Sequence, residues 1–371
     1  MRIGIFGGSF DPIHNDHVAI CEKFYKSLNL DKVIVMPAGQ SPFKNGYSVS
    51  ANQRKEMLDL AFKDYPFVTV SDYELKQKGK SYTYLTIDYI NKTHQNDELF
   101  MLIGLDSFAT FLNWKNPNLI LDKCQLAVFY REGFNFEFEE QKFIKATGKS
   151  ICKLYHNGKA SSTYIREQLK LGIYSEEFLP KSVCEYIKAN ELYRGDVLYG
   201  AVTKRLSSKR LFHTAGVIST AISYAKKLDE NIDNARIASL LHDIAKHEKV
   251  ENYPQFQMPM GVPEAVVHQY LGAYIAQTEL SINDENVLNA IRYHTTGRPG
   301  MSTLEKIVFI ADLLEPSRDY AEVDELRNAV NENFEKGFKL CLKRLVNHLE
   351  KGNGEIFDLT LKTNAFYNGE K

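Results

Sequence analysis

Two histidines three residues apart, His14 and His17, follow a Gly7-Gly8 turn at the end of a short apolar run, Ile3-Gly4-Ile5-Phe6. A strand, a glycine turn and a helix start are the parts of a phosphate site, because the free N–H groups and the dipole of a helix N-terminus favour an anion. At this spacing both imidazoles fall on one face of the helix. A lone histidine in such a place is more often structural, but a pair behind a Gly-Gly turn points to a nucleoside triphosphate. Gly4-x-x-Gly7-Gly8 does not spell Gly-x-Gly-x-x-Gly, and no acidic residue about twenty positions on is placed to take a ribose, which argues against hydride transfer.

A second constellation lies far down the chain: His213, the adjacent His242-Asp243, His268, His294 and Asp312. Asp312 interrupts Lys306 to Leu314, a segment apolar nearly all round, which predicts a buried carboxylate. An unpaired buried carboxylate is costly, and metal coordination is one of few ways to keep it charged. Nitrogen and oxygen donors without thiolate favour iron, manganese or a similar divalent ion over structural zinc. Their spread suits two metals bridged by an aspartate and able to generate hydroxide for attack on phosphorus.

The elements that must position these groups differ between the two halves. Apolar runs of strand length alternate with helical segments at Ile3–Phe6, Val33–Met36, Phe67–Val70, Leu99–Ile103, Leu126–Tyr130 and Ile151–Tyr155. That alternation predicts an α/β domain with a parallel, helix-covered, Rossmann-like sheet. The polar segments Gly7–His17, Ala38–Lys44, Gly104–Ser107, Arg131 and Ser161–Arg166 each follow a strand, so they are expected to converge beyond the strands' carboxyl ends. Past residue 195 the strand signal stops. Stripes such as Leu211, Ala215, Ile218, Ala221, Ile222 and Ala225, or Ala235, Ala238, Leu241 and Ala245, predict an all-α second domain, with the join near Arg194-Gly195-Asp196.

A chain of 371 residues fits two domains. With 46 basic and 47 acidic residues, no broad electropositive surface for nucleic acid or an anionic membrane is expected. Five scattered cysteines without a Cys-x-x-Cys pair fit reduced thiols. No apolar stretch approaches a membrane span or signal segment, so a soluble, cytoplasmic protein is expected.

The segment Phe10-Asp11-Pro12-Ile13-His14-Asn15-Asp16-His17 and the later Ser161-Ser162-Thr163-Tyr164-Ile165-Arg166 resemble the two marks of the nucleotidyltransferase superfamily. Within it the first 193 residues resemble bacterial nicotinate-mononucleotide adenylyltransferases, through Ser41-Pro42-Phe43-Lys44, Ser81-Tyr82-Thr83, Gly104-Leu105-Asp106-Ser107 with Trp114, and Leu179-Pro180 to Asn190-Glu191-Leu192-Tyr193. The resemblance implies transfer of AMP from ATP to nicotinate mononucleotide with Mg²⁺. It implies that Gly7, Gly8, Ser9, Phe10, Asp106, Ser161, Ser162 and Thr163 line the ATP site, and that His14, His17, Lys44 and Arg166 handle phosphates. Ser81, Tyr82, Thr83 and Trp114 are expected to hold the mononucleotide, Trp114 by stacking on its ring. Three residues depart from the pattern: Asp16 replaces a usual glycine, Phe43 a usual histidine, and Leu85 a usual acidic residue. A carboxylate at position 16 repels polyphosphate unless it points away or meets the metal.

Residues 196–371 resemble HD-domain metal-dependent phosphohydrolases through His213, His242-Asp243 and Asp312. More narrowly they look like symmetrical bis(5'-nucleosyl)-tetraphosphatases of the YqeK type, through Leu241 to Lys246, Val267-His268, His294 to Gly297, Met301-Ser302 and Ala311 to Arg318. This resemblance implies cleavage of diadenosine tetraphosphate to two ADP, with Lys246 and Arg318 as phosphate clamps, although Arg318 could instead pair with a carboxylate such as Glu315. The alternatives are a different phosphorylated acceptor for the first half, and hydrolysis or sensing of another nucleotide for the second. Oligomeric state is not legible.

Overall fold

The computed structural model describes residues 1–40, 46–130, 136–158, 160–352 and 356–369. Met1–Ile165 and Tyr174–Tyr193 form one compact unit; Arg166–Ile173 and Arg194–Lys371 form the other.

In the first unit, β1 (Arg2–Gly8), β2 (Lys32–Pro37), β3 (Val68–Val70), β4 (Glu98–Gly104), β5 (Gln125–Tyr130) and β6 (Cys152–Tyr155) make one parallel sheet in the order β3-β2-β1-β4-β5-β6. All six expected strands are present, at or within a few residues of the apolar runs. Ile3 and Ile5 of β1 lie opposite Lys32 and Ile34 on one side and Leu99 and Met101 on the other. Strand order reverses beside β1, so crossovers leave in opposite directions there and open a crevice at the strands' carboxyl ends. The intervening helices are α1 (Asn15–Ser27), α2 (Ala51–Ala61), α3 (Tyr73–Lys76), α4 (Thr83–Thr93), α5 (Leu105–Ala109), α6 (Pro117–Leu121) and α7 (Phe136–Thr147). Helix α8 (Ser162–Lys170) begins in this unit and ends in the other, and α9 (Lys181–Ala189) belongs to this one.

In the second unit the described elements are helical: α10 (Val197–Arg205), α11 (Ser208–Lys227), α12 (Ile232–Leu241), α13 (Glu264–Thr278), α14 (Glu285–Arg292), α15 (Thr303–Leu314), α16 (Val323–Glu332), α17 (Phe334–Lys351) and α18 (Asp358–Asn368). Asp196 caps α10 by accepting from the N–H of Leu198 at 2.9 Å, a contact worth about 1 kcal/mol. The expected stripe on α11 is buried throughout. That on α12 is buried too, but Ala245 lies in the turns after the helix. Among the described residues no helix is long and apolar enough to cross a membrane.

Candidate functional site

The first site begins where β1 ends. His14 occupies the N-cap of α1, and its backbone N–H donates to His17 Nδ1 at 3.3 Å while the two rings stack at 3.6 Å. With Nδ1 accepting, the His17 proton resides on Nε2, leaving that atom a donor. Phe10 packs its ring against Phe6 and His17. Its φ of 46° lets the loop turn sharply between the glycines and the helix.

The two signature segments, some 150 positions apart, meet directly: Ser162 Oγ donates to the Pro12 carbonyl at 3.2 Å. Ser161 precedes α8 and its hydroxyl accepts from the N–H of Tyr164 at 3.2 Å. The start of α8 therefore lies beside the loop that starts α1, and two helix N-termini share one corner, an arrangement whose dipoles favour an anion. Arg166 sits four residues beyond Ser162 on α8, hence on the same side of that helix.

Asp16 does not burden this corner with uncompensated charge. Its Oδ2 accepts from the N–H of Ala160 at 2.8 Å and its Oδ1 lies 3.9 Å from His156 Nε2. The departure from glycine thus supplies a brace for the loop leading into Ser161.

A cavity of about 380 Å³ opens beside the glycine turn, lined by Gly7, Gly8 and Ser9 together with Ser81, Tyr82, Thr83 and Trp114. Such a volume suits a small ligand. Ser107, Asn113 and Lys115 also line it, and Lys115 lies 4.4 Å from the centre of the Tyr82 ring. Glu74 lines its floor, accepting from Thr86 Oγ1 at 2.6 Å, and burial pushes its carboxyl pKa up. Ser81 Oγ accepts from the N–H groups of Gly39 and Gln40, tying the Ser-Tyr-Thr segment to the loop after β2. Asp106 is exposed on α5 and is not part of this lining, and Leu85 faces solvent at 45 % exposure. Lys44, Phe43 and Arg131 lie outside the described residues.

Two supports escaped the sequence reading. Arg54, fully buried on α2, donates to the carbonyls of Ser9 and Ala38 at 2.8 Å each and lies 3.8 Å from the centre of the Tyr47 ring. It thereby joins the loops after β1 and β2. Asp11 accepts from Tyr193 OH at 2.8 Å and from the N–H of Ser48 at 2.9 Å. A basic residue on the apolar stripe Arg54, Met57, Leu58, Ala61 was a readable sign of an interior cation.

The second site gathers all six expected groups. His213 comes from α11, His242-Asp243 follows α12, His268 lies on α13, His294 follows α14, and Asp312 lies on α15. His213 Nε2 is 3.0 Å from Asp312 Oδ1 and 3.3 Å from His242 Nε2. His268 Nε2 is 3.3 Å from His294 Nε2. Asp243 stands in the middle: Oδ2 is 3.4 Å from His242 Nε2, while Oδ1 is 3.4 Å from His268 Nε2 and 3.7 Å from His294 Nε2. Asp312 is largely rather than wholly buried, its side chain 19 % exposed, because it faces the polar mouth of the cluster and not the apolar interior. The expected burial of this carboxylate is thus met in part.

These residues fit a metal. His242 Nδ1 faces the Ser239 carbonyl at 2.7 Å and His294 Nδ1 faces the Ile291 carbonyl at 2.8 Å, so each ring carries its proton there and presents a bare Nε2 lone pair. Lone pairs crowded around Asp243 repel unless a cation lies among them. The donors of His213, His242 and Asp312 lie within 4.8 Å of one another, as do those of His242, Asp243 and His294. Burial lowers the pKa of His242 and pushes that of His268 down to about 3, keeping both in the neutral, ligating form. Burial opposes the charge on Asp243 and Asp312, yet the neighbouring imidazoles, His242 for Asp243 and His213 for Asp312, hold both carboxyls well below the usual range. His213 is raised, Asp312 and Glu315 outweighing the opposing effect of burial.

Three cations surround the cluster. Lys246 Nζ is 3.1 Å from His268 Nε2, and Arg318 pairs with Asp312 at 2.7 Å, while its Nε lies 3.7 Å from Glu315. Arg210, which the sequence reading did not select, donates to Asp243 Oδ2 at 2.7 Å. Its place three residues before His213 on α11, one turn away, was the available signal.

Comparison with known proteins finds relatives of both halves. Residues 5–168 match the cytidylyltransferase-like family model and residues 210–317 the HD domain. A protein of Mycoplasma genitalium, named "Probable nicotinate-nucleotide adenylyltransferase/Ap4A hydrolase", is 29% identical across 93% of this chain and 98% of its own length. A "Probable nicotinate-nucleotide adenylyltransferase" of Clostridium tetani is 38% identical, over 51% of this chain and 98% of its own. A solved structure from Clostridium acetobutylicum, titled a "predicted HD superfamily hydrolase involved in NAD metabolism", is 32% identical, covering 46% of this chain and 94% of its own, at a TM-score of 0.42. Because a relative 38% identical is matched over 98% of its own length, the chain belongs to the nicotinate-nucleotide adenylyltransferase family, and its transferase domain is followed by an HD domain.

Proposed function

We propose that residues 1–193 transfer AMP from ATP to nicotinate mononucleotide, giving nicotinate adenine dinucleotide and pyrophosphate. Residues 196–371 are proposed to hydrolyse diadenosine tetraphosphate to two ADP. The observation that carries the first reading is the Ser162–Pro12 hydrogen bond, which joins both phosphate segments beside a cavity lined by Ser81, Tyr82, Thr83 and Trp114. A mononucleotide phosphate oxygen forms the new bond to the α-phosphorus as the bond to the pyrophosphate oxygen breaks, so the protein supplies position and charge stabilisation. His14 and His17 serve the transferring phosphate, Ser162, Thr163 and Arg166 the outer phosphates, Asp106 the ATP ribose or adenine, and Lys44 the mononucleotide phosphate. Mg²⁺, when bound, offsets triphosphate charge.

In the second half, His213, His242, Asp243 and Asp312 would hold one divalent ion, and Asp243, His268 and His294 a second. Iron or manganese suits this nitrogen–oxygen set. When bound, such an ion makes water acidic enough to attack phosphorus. Lys246, Arg318 and Arg210 would grip the polyphosphate. The cytosol is the proposed compartment, supported by five free cysteines, four of them buried.

The test is to give the whole protein ATP with candidate mononucleotides, and separately diadenosine tetraphosphate with Mn²⁺ or Fe²⁺, and to identify products by mass. Nicotinate adenine dinucleotide and ADP are expected. Activity only with CTP or a pantetheine acceptor ends the first reading, and nucleotide binding without metal or turnover ends the second in favour of a sensor. Trp114 is the chain's single tryptophan, so its emission reports one place. Nicotinate mononucleotide should quench it, and W114A should raise the KM for the mononucleotide about tenfold, a stacking loss of ~1 kcal/mol or slightly more, without moving that for ATP. Unchanged emission removes Trp114 from the site.

A further inference from the structure

Three of the four cluster histidines turn Nδ1 to an oxygen, and these three are not held alike. His242 and His294 turn Nδ1 to neutral backbone carbonyls, whereas His213 Nδ1 lies 3.1 Å from Glu315 Oε1, a carboxylate with 0% exposure. Glu315 follows the last residue of α15, three positions after Asp312. Its oxygens are fixed from the other side: the N–H of Ser317 donates to Oε2 at 2.8 Å and the Ser317 hydroxyl to Oε1 at 2.5 Å. Arg327 donates to the backbone carbonyls of Leu314 and Glu315 at 3.0 and 2.8 Å, anchoring the segment. On α11, Gly216 lies three residues after His213, and a Cβ there would come within 2.3 Å of Glu315 Oε2. Space on one helix has been kept clear for a carboxylate arriving from another.

We infer that Glu315 is a positioning residue for the metal centre: it fixes the His213 ring with Nε2 toward Asp312 and His242 and, as an anion behind the ring, strengthens His213 as a ligand. A carboxylate behind a ligating imidazole sets its tautomer and raises its basicity, and removal of such partners typically weakens metal binding 10–100-fold. A backbone carbonyl orients a ring but carries no charge, so His213 is the strongest donor of the three and its position the tighter of the two proposed ion positions. This rests on the metal centre proposed above.

The experiment is a calorimetric titration of Mn²⁺ into chelator-stripped full-length protein, comparing the native chain with E315Q and S317A. Glutamine keeps the shape and removes the charge; S317A keeps the charge and frees the carboxylate to move. E315Q is expected to bind the tighter Mn²⁺ at least tenfold more weakly, with S317A weaker in the same direction, while the melting temperature of the metal-free protein and the rate of adenylyl transfer stay at native values. Native Mn²⁺ affinity in E315Q overturns the inference, as does a fall in metal-free melting temperature with no selective loss of metal. If E315Q does not fold, S317A decides: weakened binding supports the role and unchanged binding overturns it. A native chain that takes up no Mn²⁺ instead overturns the metal centre itself, and this inference with it.

Discussion

Replacing His17 by asparagine should lower kcat/KM for adenylyl transfer by about 10²–10³-fold, the cost typical of removing one donor aimed at developing charge. Asparagine separates two roles of the native ring. Its Oδ1 can still accept the His14 N–H that His17 Nδ1 now accepts at 3.3 Å, so the start of α1 is preserved, while the Nε2–H is gone. H17A removes both and should fall at least as far, with some loss of thermal stability from the unsupported helix start. Pyrophosphate release under steady-state conditions measures the effect. If H17N works within threefold of the native rate, His17 is a structural cap, and phosphate handling must be sought in His14 and the start of α8.

The second large effect is expected at Asp243. D243N replaces a carboxylate oxygen by an N–H donor in the middle of four imidazoles, at a side chain only 3 % exposed. Because loss of an outer partner alone costs 10–100-fold in metal affinity, loss of the central carboxylate should exceed about 100-fold and abolish measurable hydrolysis of diadenosine tetraphosphate. Elemental analysis of purified D243N should find the metal missing, and adenylyl transfer should continue. Full metal content with ordinary hydrolysis would remove Asp243 from the centre. Stripping the native protein with a chelator should reproduce the D243N behaviour, and adding Mn²⁺ back should reverse it only in the native chain.

Much of the architecture was legible because the four inner strands β1, β2, β4 and β5 are largely buried apolar runs, as a helix-covered parallel sheet demands, while the edge strands β3 and β6 are more exposed. The chemistry-bearing groups were legible for the opposite reason: His242, Asp243 and Asp312 are polar where their neighbours are apolar, so a function or a large penalty had to explain them. What escaped were supporting groups whose partners are remote in sequence. Glu74 looks like an ordinary helix-surface residue until Thr86 of α4 donates to it, and Arg54, though its stripe marked it as interior, gave no hint that it would join the loops after β1 and β2. Glu315 was named as an alternative partner for Arg318, and its Oε1 does lie 3.7 Å from Arg318 Nε, but its nearer partner is His213, 102 positions earlier. Arg318 pairs more closely with Asp312. Spacing along one helix can be read from sequence; pairing between α11 and the end of α15 needs the fold.

The brace formed by Asp16 ties the fates of distant positions together. Gly158 lies so close that a methyl group there would come within 2.1 Å of Asp16 Oδ2. Whatever replaces that glycine is therefore judged against the residue at 16. Alanine at 158 should be poorly tolerated beside aspartate and better tolerated once position 16 is glycine, when only the His156 ring, 2.7 Å from the same methyl group, has to shift. A chain with glycine at 16 would be under less restraint at 158, so this loop cannot be exchanged piecemeal between the two backgrounds. Inheritance at these sites is conditional, and a tally of single substitutions would miss it.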